Sequence, residues 1–313
     1  MHWLAAHTQD RHSSHFWSRR RNGLNLATPS LAPDAVLRRN NVVVQGQDRG
    51  KPALVFVNGF GCEQSIWRLV APHFAPSRQV VLFDHVGTGG AERSAVEPRK
   101  DASLQGYADD LLSVCDAAGL SHAVLVAHSA GAMIGVLAAL RWPAAFRQLI
   151  LITPSPCFLN VGSYLGGFER TDLDALLEAM NLDYQHWSHQ MAPLIMGHPE
   201  RPELAWELES SLQRMDVGIA KQFARASFTC DLRQQLEQLG TPTTILQCAE
   251  DNMVPEVVGE FMRETIPDCA LVKLAANGHC PHLSAPEAVI RVLRDLLDQG
   301  WVETVPAELS SNL

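Results

Sequence analysis

No apolar run in the 313-residue chain approaches the roughly 18 to 20 residues of a membrane span. The N-terminus also lacks the uninterrupted apolar core of a secretory signal. The seven cysteines, Cys62, Cys115, Cys157, Cys230, Cys248, Cys269 and Cys280, show no CxxC pairing. Their odd number fits reduced thiols better than a disulfide framework, and with the missing signal it points to a cytoplasmic protein. Positive charge is short as well. The formal charge is -9 and no basic stripe offsets it, so neither nucleic acid nor an anionic membrane is expected as a main partner. Apolar residues are plentiful at 46%, enough for the core of one large α/β domain or two small ones.

Residues 1–36 are rich in His, Arg and Ser, poor in acids, and periodic as neither strand nor helix. They read as a disordered extension; a transit-like or nucleic-acid-binding arm and a mistaken start codon are the alternatives. From Leu37 the texture changes. Short runs at 41–44, 54–57, 80–83, 123–127, 149–152, 243–247 and 270–274 read as strands, most of them apolar throughout. Strands of that kind are buried on both faces, which predicts a mainly parallel sheet flanked by helices. One helix is legible in Leu104, Ala108, Leu111, Leu112, Cys115 and Ala118, with Gly119 where a helix end wants a left-handed residue. A final helix is expected over 286–298.

The alternation breaks over 154–232, which has helical periods and no convincing strand. That predicts an α/β core over 37–153 and 233–300, a helical lid over 154–232, and a tail over 301–313. Most apolar residues of the insertion serve a satellite core. An insertion that caps the carboxyl ends of a parallel sheet also roofs the place where such sheets bind ligands. Phe60, Phe158, Phe168, Trp187, Met191 and Phe228 are therefore expected to line a pocket for a small apolar ligand.

At Val124-Leu-Val-Ala-His-Ser-Ala-Gly131 an apolar strand run stops at a serine and a helical pattern begins at once. A sharp strand-to-helix turn of this kind holds a hydroxyl out at the top of a sheet, and it needs small residues two before and two after. Ala127 and Gly131 meet the need, although Ala127 departs from the usual glycine. A serine hydroxyl also needs a base within hydrogen-bond reach and a third group to orient that base. After the strand ending near Cys248 comes the acidic turn Ala249-Glu-Asp-Asn252, and after the next strand comes Asn277-Gly-His-Cys-Pro-His282.

The order Ser129, Asp251, His279 is the one such a sheet expects. Asp251 fits better than Glu250, because it stands at the turn into a helix; His279 fits better than His282, because Gly278 lets the loop bend beside it. His128 and His85 read as structural histidines. Acyl transfer also needs oxyanion donors. The backbone N-H of Ala130 comes with the turn, and that of Phe60, in Val57-Asn-Gly-Phe-Gly61, is the second. The Gly87-Thr-Gly89 loop fails the dinucleotide fingerprint, since its third glycine falls at Glu92.

The stretches Asn58-Gly-Phe-Gly-Cys-Glu-Gln-Ser-Ile-Trp67, Leu82-Phe-Asp-His-Val-Gly-Thr-Gly89, His128-Ser-Ala-Gly-Ala132, Pro154-Ser-Pro-Cys-Phe-Leu-Asn160, Leu246-Gln-Cys-Ala-Glu-Asp251 and Gly278-His-Cys-Pro-His-Leu-Ser284 resemble the RsbQ-type α/β-hydrolases. These are bacterial stress-signalling relatives of the plant karrikin and strigolactone receptors. The likeness runs from about Leu37 to Gly300. It implies an α/β-hydrolase fold with a helical lid, a triad on Ser129, Asp251 and His279, and oxyanion donors on Phe60 and Ala130. It further implies a phosphatase partner carrying a PAS domain. Asn58 stands where relatives often have His or Pro, and Ala127 where they have Gly.

Together these readings predict a serine hydrolase of a small apolar ester or lactone, with no metal and no organic cofactor implied. Carbon-carbon bond hydrolysis uses the same triad. The rival is a ligand-sensing regulator whose hydrolysis is slow and which signals through a partner phosphatase.

Overall fold

The computed structural model describes residues 31–97 and 102–298. All seven expected strands form: β1 Val43–Gln45, β2 Leu54–Val57, β3 Val80–Leu82, β4 Ala123–His128, β5 Phe146–Ile152, β6 Thr243–Glu250 and β7 Cys269–Asn277. They make one sheet in the order β1-β3-β2-β4-β5-β6-β7. Its β1 edge is antiparallel to β3, and the other neighbouring pairs are parallel. Every residue of β2 and of β4 is buried, which is why these strands carry no polar face. Each fully buried Val, Leu or Ile side chain contributes roughly 1.5–3 kcal/mol of transfer free energy.

Helices cover the sheet: α1 Pro33–Arg39, α2 Leu104–Ala117, α3 Ala130–Arg141, and then four between β5 and β6, namely α4 Arg170–Leu182, α5 Tyr184–Met196, α6 Pro202–Arg214 and α7 Val217–Phe228. The chain continues with α8 Glu256–Thr265, the single turn α9 Pro281–Ser284, and α10 Pro286–Asp298. Gly119 has φ 68° just past the end of α2, the left-handed position its sequence predicts. In the insertion, Asp183 caps α5 by accepting from the His186 N-H, and Asp216 caps α7 by accepting from Gly218 and Ile219. Each satisfies backbone donors that a helix start leaves open.

α1 corrects one boundary. The extension expected to reach residue 36 gives way to a helix at Pro33. Proline fits a first turn, where its missing N-H is no loss, and Asp34 at the start with Arg38 and Arg39 at the end suits the helix dipole. Residues 1–30 and the 301–313 tail lie outside the described residues. Among the described residues no helix is long and apolar enough to cross a membrane. The seven cysteines are free thiols.

Candidate active site

β4 runs straight into α3, and Ser129 is the single residue between them, at φ 52° and ψ -121°. A residue with a side chain held in such a region stores on the order of 1–3 kcal/mol of strain. The turn is tight because α3 presses on the sheet. A Cβ built on Gly131 would stand 2.3 Å from the Asn58 carbonyl oxygen, and one on Gly135 would stand 2.3 Å from Leu125 Cδ2. A glycine at 131 is therefore a requirement of packing. The methyl of Ala127 is not crowded from this side, since even a Cβ on Gly135 would lie 3.8 Å from it, an ordinary van der Waals distance.

The base and the acid arrive on the ends of β7 and β6. His279 Nδ1-H donates to Asp251 Oδ2 at 2.8 Å, and its Nε2 lies 2.7 Å from Ser129 Oγ. Asp251 is fixed in turn, because its Oδ1 accepts from the backbone N-H groups of Met253 and Val254 at 2.8 and 3.2 Å. Its side chain is fully buried. Glu250 is exposed and accepts from Asn277 Nδ2, so it is turned away from His279.

Gly278, at φ 79°, is where the β7 loop meets α5. A Cβ there would fall 1.9 Å from the Met196 carbonyl oxygen. The end of α5 is bonded to both loops: the His279 N-H donates to Ile195 O at 2.9 Å, and Asn252 Nδ2 donates to Leu194 O at 3.0 Å. His198 Nε2 donates to Asn277 O at 3.0 Å.

The loop after β2 is held by Asn58, which is buried. Its Nδ2 donates to Phe83 O, its Oδ1 accepts from Trp67 Nε1, and its carbonyl accepts from His85 Nε2. With both ends of its amide used, Asn58 is a bracket that aims Gly59 and Phe60 at the top of the sheet. Gly59 stands close under His128, since a Cβ there would meet His128 Nδ1 at 2.8 Å. The Ala130 N-H opens α3 and is one of the donors a helix leaves without an internal partner.

A small apolar cavity opens above Ser129 and is partly continuous with solvent. Phe60, Phe158 and Phe228 line it, beside Ser129, Ala130 and His279. Phe168, Trp187 and Met191 do not. Phe168 packs edge-on behind Phe158, and Trp187 packs behind Phe60 and stacks on Tyr184, while Met191 is buried in the core. Their places on the wall go to Ile195, one turn further along α5, and to Leu208 and Leu212 of α6. Helical periodicity identifies the apolar face but not which of its rows borders empty space.

His85, His128 and His282 are buried. Burial pushes the His128 imidazole down to about 3, with His279 nearby adding to the effect, and it lowers His85 and His282 as well. His128 is only half satisfied, because Nε2-H donates to His279 O while Nδ1 has no partner among the described residues. His282 packs in the interior, stacked on Trp67.

Residues 52–286 match the family model described as the alpha/beta hydrolase fold. The chain is 37% identical over 263 residues to the strigolactone esterase D14 of Arabidopsis thaliana, covering 84% of this chain and 97% of that one. It is 34% identical over 255 residues to the karrikin insensitive 2 receptor CA of Petunia hybrida, covering 81% of this chain and 94% of the other. The solved structure of a hydrolase from Oleispira antarctica superposes with a TM-score of 0.84 at 33% identity, covering 87% of this chain and all (100%) of that one. A sheet of this order, a serine at the β4–α3 turn and these relatives have one meaning: the chain belongs to the alpha/beta hydrolase family and is an esterase-like hydrolase.

Proposed function

We propose that the protein hydrolyses a small, largely apolar ester or lactone by a Ser129–His279–Asp251 triad beneath a helical lid formed by α4–α7. His279 Nε2 takes the Ser129 proton as Oγ attacks the carbonyl carbon, and the charge on the carbonyl oxygen is met by the Phe60 and Ala130 N-H groups. The imidazolium then protonates the leaving alkoxide. Water, deprotonated by the same nitrogen, attacks the acyl carbon; the Oγ–acyl bond breaks, the imidazolium returns the proton to Oγ, and the acid leaves. Asp251 holds the Nδ1-H tautomer throughout and faces the imidazolium charge.

The observation that carries the reading is His279 bridging Ser129 and Asp251 at 2.7 and 2.8 Å. Hydrolysis of short p-nitrophenyl esters tests it. Ser129→Ala is expected to lower turnover on the order of a million-fold, and a variant that keeps the rate removes the assignment.

A second reading is favoured by the receptor and esterase names of the relatives and by the RsbQ-type resemblance. In it, hydrolysis is slow and the occupied site signals to a partner, a PAS-domain phosphatase in a stress pathway. Leu182 and Trp206, 81% and 62% exposed on the insertion, offer such a partner apolar contacts. Stable capture of the phosphatase by ligand-loaded protein, with turnover slower than release of the partner, selects this reading over the metabolic one.

A further inference from the structure

Behind the Ser129–His279–Asp251 chain lies a second group of side chains, none of which takes part in proton transfer or nucleophilic attack. His128, Cys280 and His282 are 1%, 1% and 0% exposed, and one ligand-capable atom from each lies within 4.8 Å of the other two. His282 carries the argument. Neither of its ring nitrogens has a hydrogen-bond partner among the described residues, although the ring is stacked on Trp67 and stands 4.5 Å from the ring of His128. Buried polar atoms left unpaired are rare in native proteins, and each calls for an explanation.

We propose that His128, Cys280 and His282 form a binding site for a thiophilic divalent cation of the zinc type, reached through the hydrolytic cavity and restraining hydrolysis when filled.

Three observations meet in it. The first is spacing. Cys280 Sγ lies 3.9 Å from His128 Nε2, and tetrahedral bonds of about 2.3 Å to sulfur and 2.0 Å to nitrogen put such atoms roughly 3.5 Å apart. Side-chain rotations must close this gap and that to His282, whose ligand atom lies within 4.8 Å of the other two. The second is donor chemistry, since one thiolate with two neutral imidazoles suits zinc and disfavours magnesium and calcium. The third is access. His128 and Cys280 border the cavity, the side from which a cation would enter and from which water would complete its shell.

Binding has a definite cost to the neighbouring site. The Cys280 thiol gives its proton to solvent as the sulfur-metal bond forms. His128 Nε2, which donates to the His279 carbonyl at 2.8 Å, must turn its lone pair to the metal, so its proton moves to Nδ1 and the tie to His279 is lost. The cation therefore acts on the base through the base's own backbone.

Co²⁺ titration of the reduced, chelator-treated protein tests this. A single equivalent is expected to give a thiolate-to-cobalt charge-transfer band that Zn²⁺ displaces. The band should persist in Ser129→Ala, which removes hydrolysis and no ligand, and should vanish in Cys280→Ser. His282→Gln should weaken Co²⁺ binding at least about tenfold, and thermal melts of each variant verify folding. A wild-type protein without the band, or a band that survives Cys280→Ser, overturns the site while leaving the hydrolytic reading untouched. If the variants do not fold, X-ray absorption of the wild-type zinc protein decides: one sulfur with two imidazole nitrogens supports the site, and a shell without sulfur overturns it.

Discussion

His128 Nε2 donates to the carbonyl oxygen of His279 across 2.8 Å, so the residue before the serine is bonded to the backbone of the residue that faces the serine. Thr153 Oγ1 donates to the same oxygen at 3.0 Å. Thr153 follows β5 directly and His128 ends β4, so two adjacent strands grip one peptide unit of the histidine loop.

This grip sets the position of the imidazole without touching a substrate. Thr153→Val should lower stability by about 1 kcal/mol, the net worth of one hydrogen bond. It should lower kcat by up to roughly 100-fold, the scale of a 1 Å misplacement, with KM little changed. Steady-state ester kinetics with urea unfolding measure both. A rise in KM at constant kcat would mean that the residue shapes the cavity and does not position the base.

The backbone at Ser129 gives a second expectation. At φ 52° and ψ -121° an alanine keeps the strain that a glycine relieves. Strain of about 1–3 kcal/mol, less the roughly 0.5–1 kcal/mol that glycine's flexibility costs, leaves Ser129→Gly on the order of 1 kcal/mol more stable than Ser129→Ala. Both variants lack the hydroxyl, so the comparison isolates the backbone. Equal unfolding midpoints would show that the turn is relaxed.

The buried histidines make stability depend on acid. His85, His128 and His282 have pKa values below the ordinary histidine value because burial disfavours their charged forms. For His85, the carboxylates Asp84 and Asp110 and the bond to the Asn58 carbonyl work against that lowering. Between about pH 6.5 and the lower folded values the unfolded chain binds protons that the folded chain refuses, so stability rises with pH there and falls as pH drops. For His128 that window extends down to about 3. Urea unfolding at a series of pH values measures the slope, and His85→Gln should reduce it by about one proton's worth. An unchanged slope would mean that His85 is already charged in the folded protein.

The sheet and its chemistry were legible in the sequence because each sits where a local pattern breaks. Ser129, Asp251 and His279 all follow apolar strand runs, and the small residues Ala127, Gly131 and Gly278 mark where backbones come close. Asn58 was visible only as a departure; that it spends both ends of its amide on Phe83 and Trp67 is a matter of contacts 9 and 25 residues away. The cavity wall is the part least legible in the sequence. Met191 and Ile195 lie one turn apart on the same face of α5, and only the packing of that helix on the histidine loop decides which of them borders the space. The helix from Pro33 was hidden by the composition that precedes it.

Ile195 stands in two places at once. Its side chain is part of the cavity wall, and its carbonyl receives the His279 N-H. Wall and histidine loop are thus joined through a single residue, so a substitution at Ile195 alters both at once.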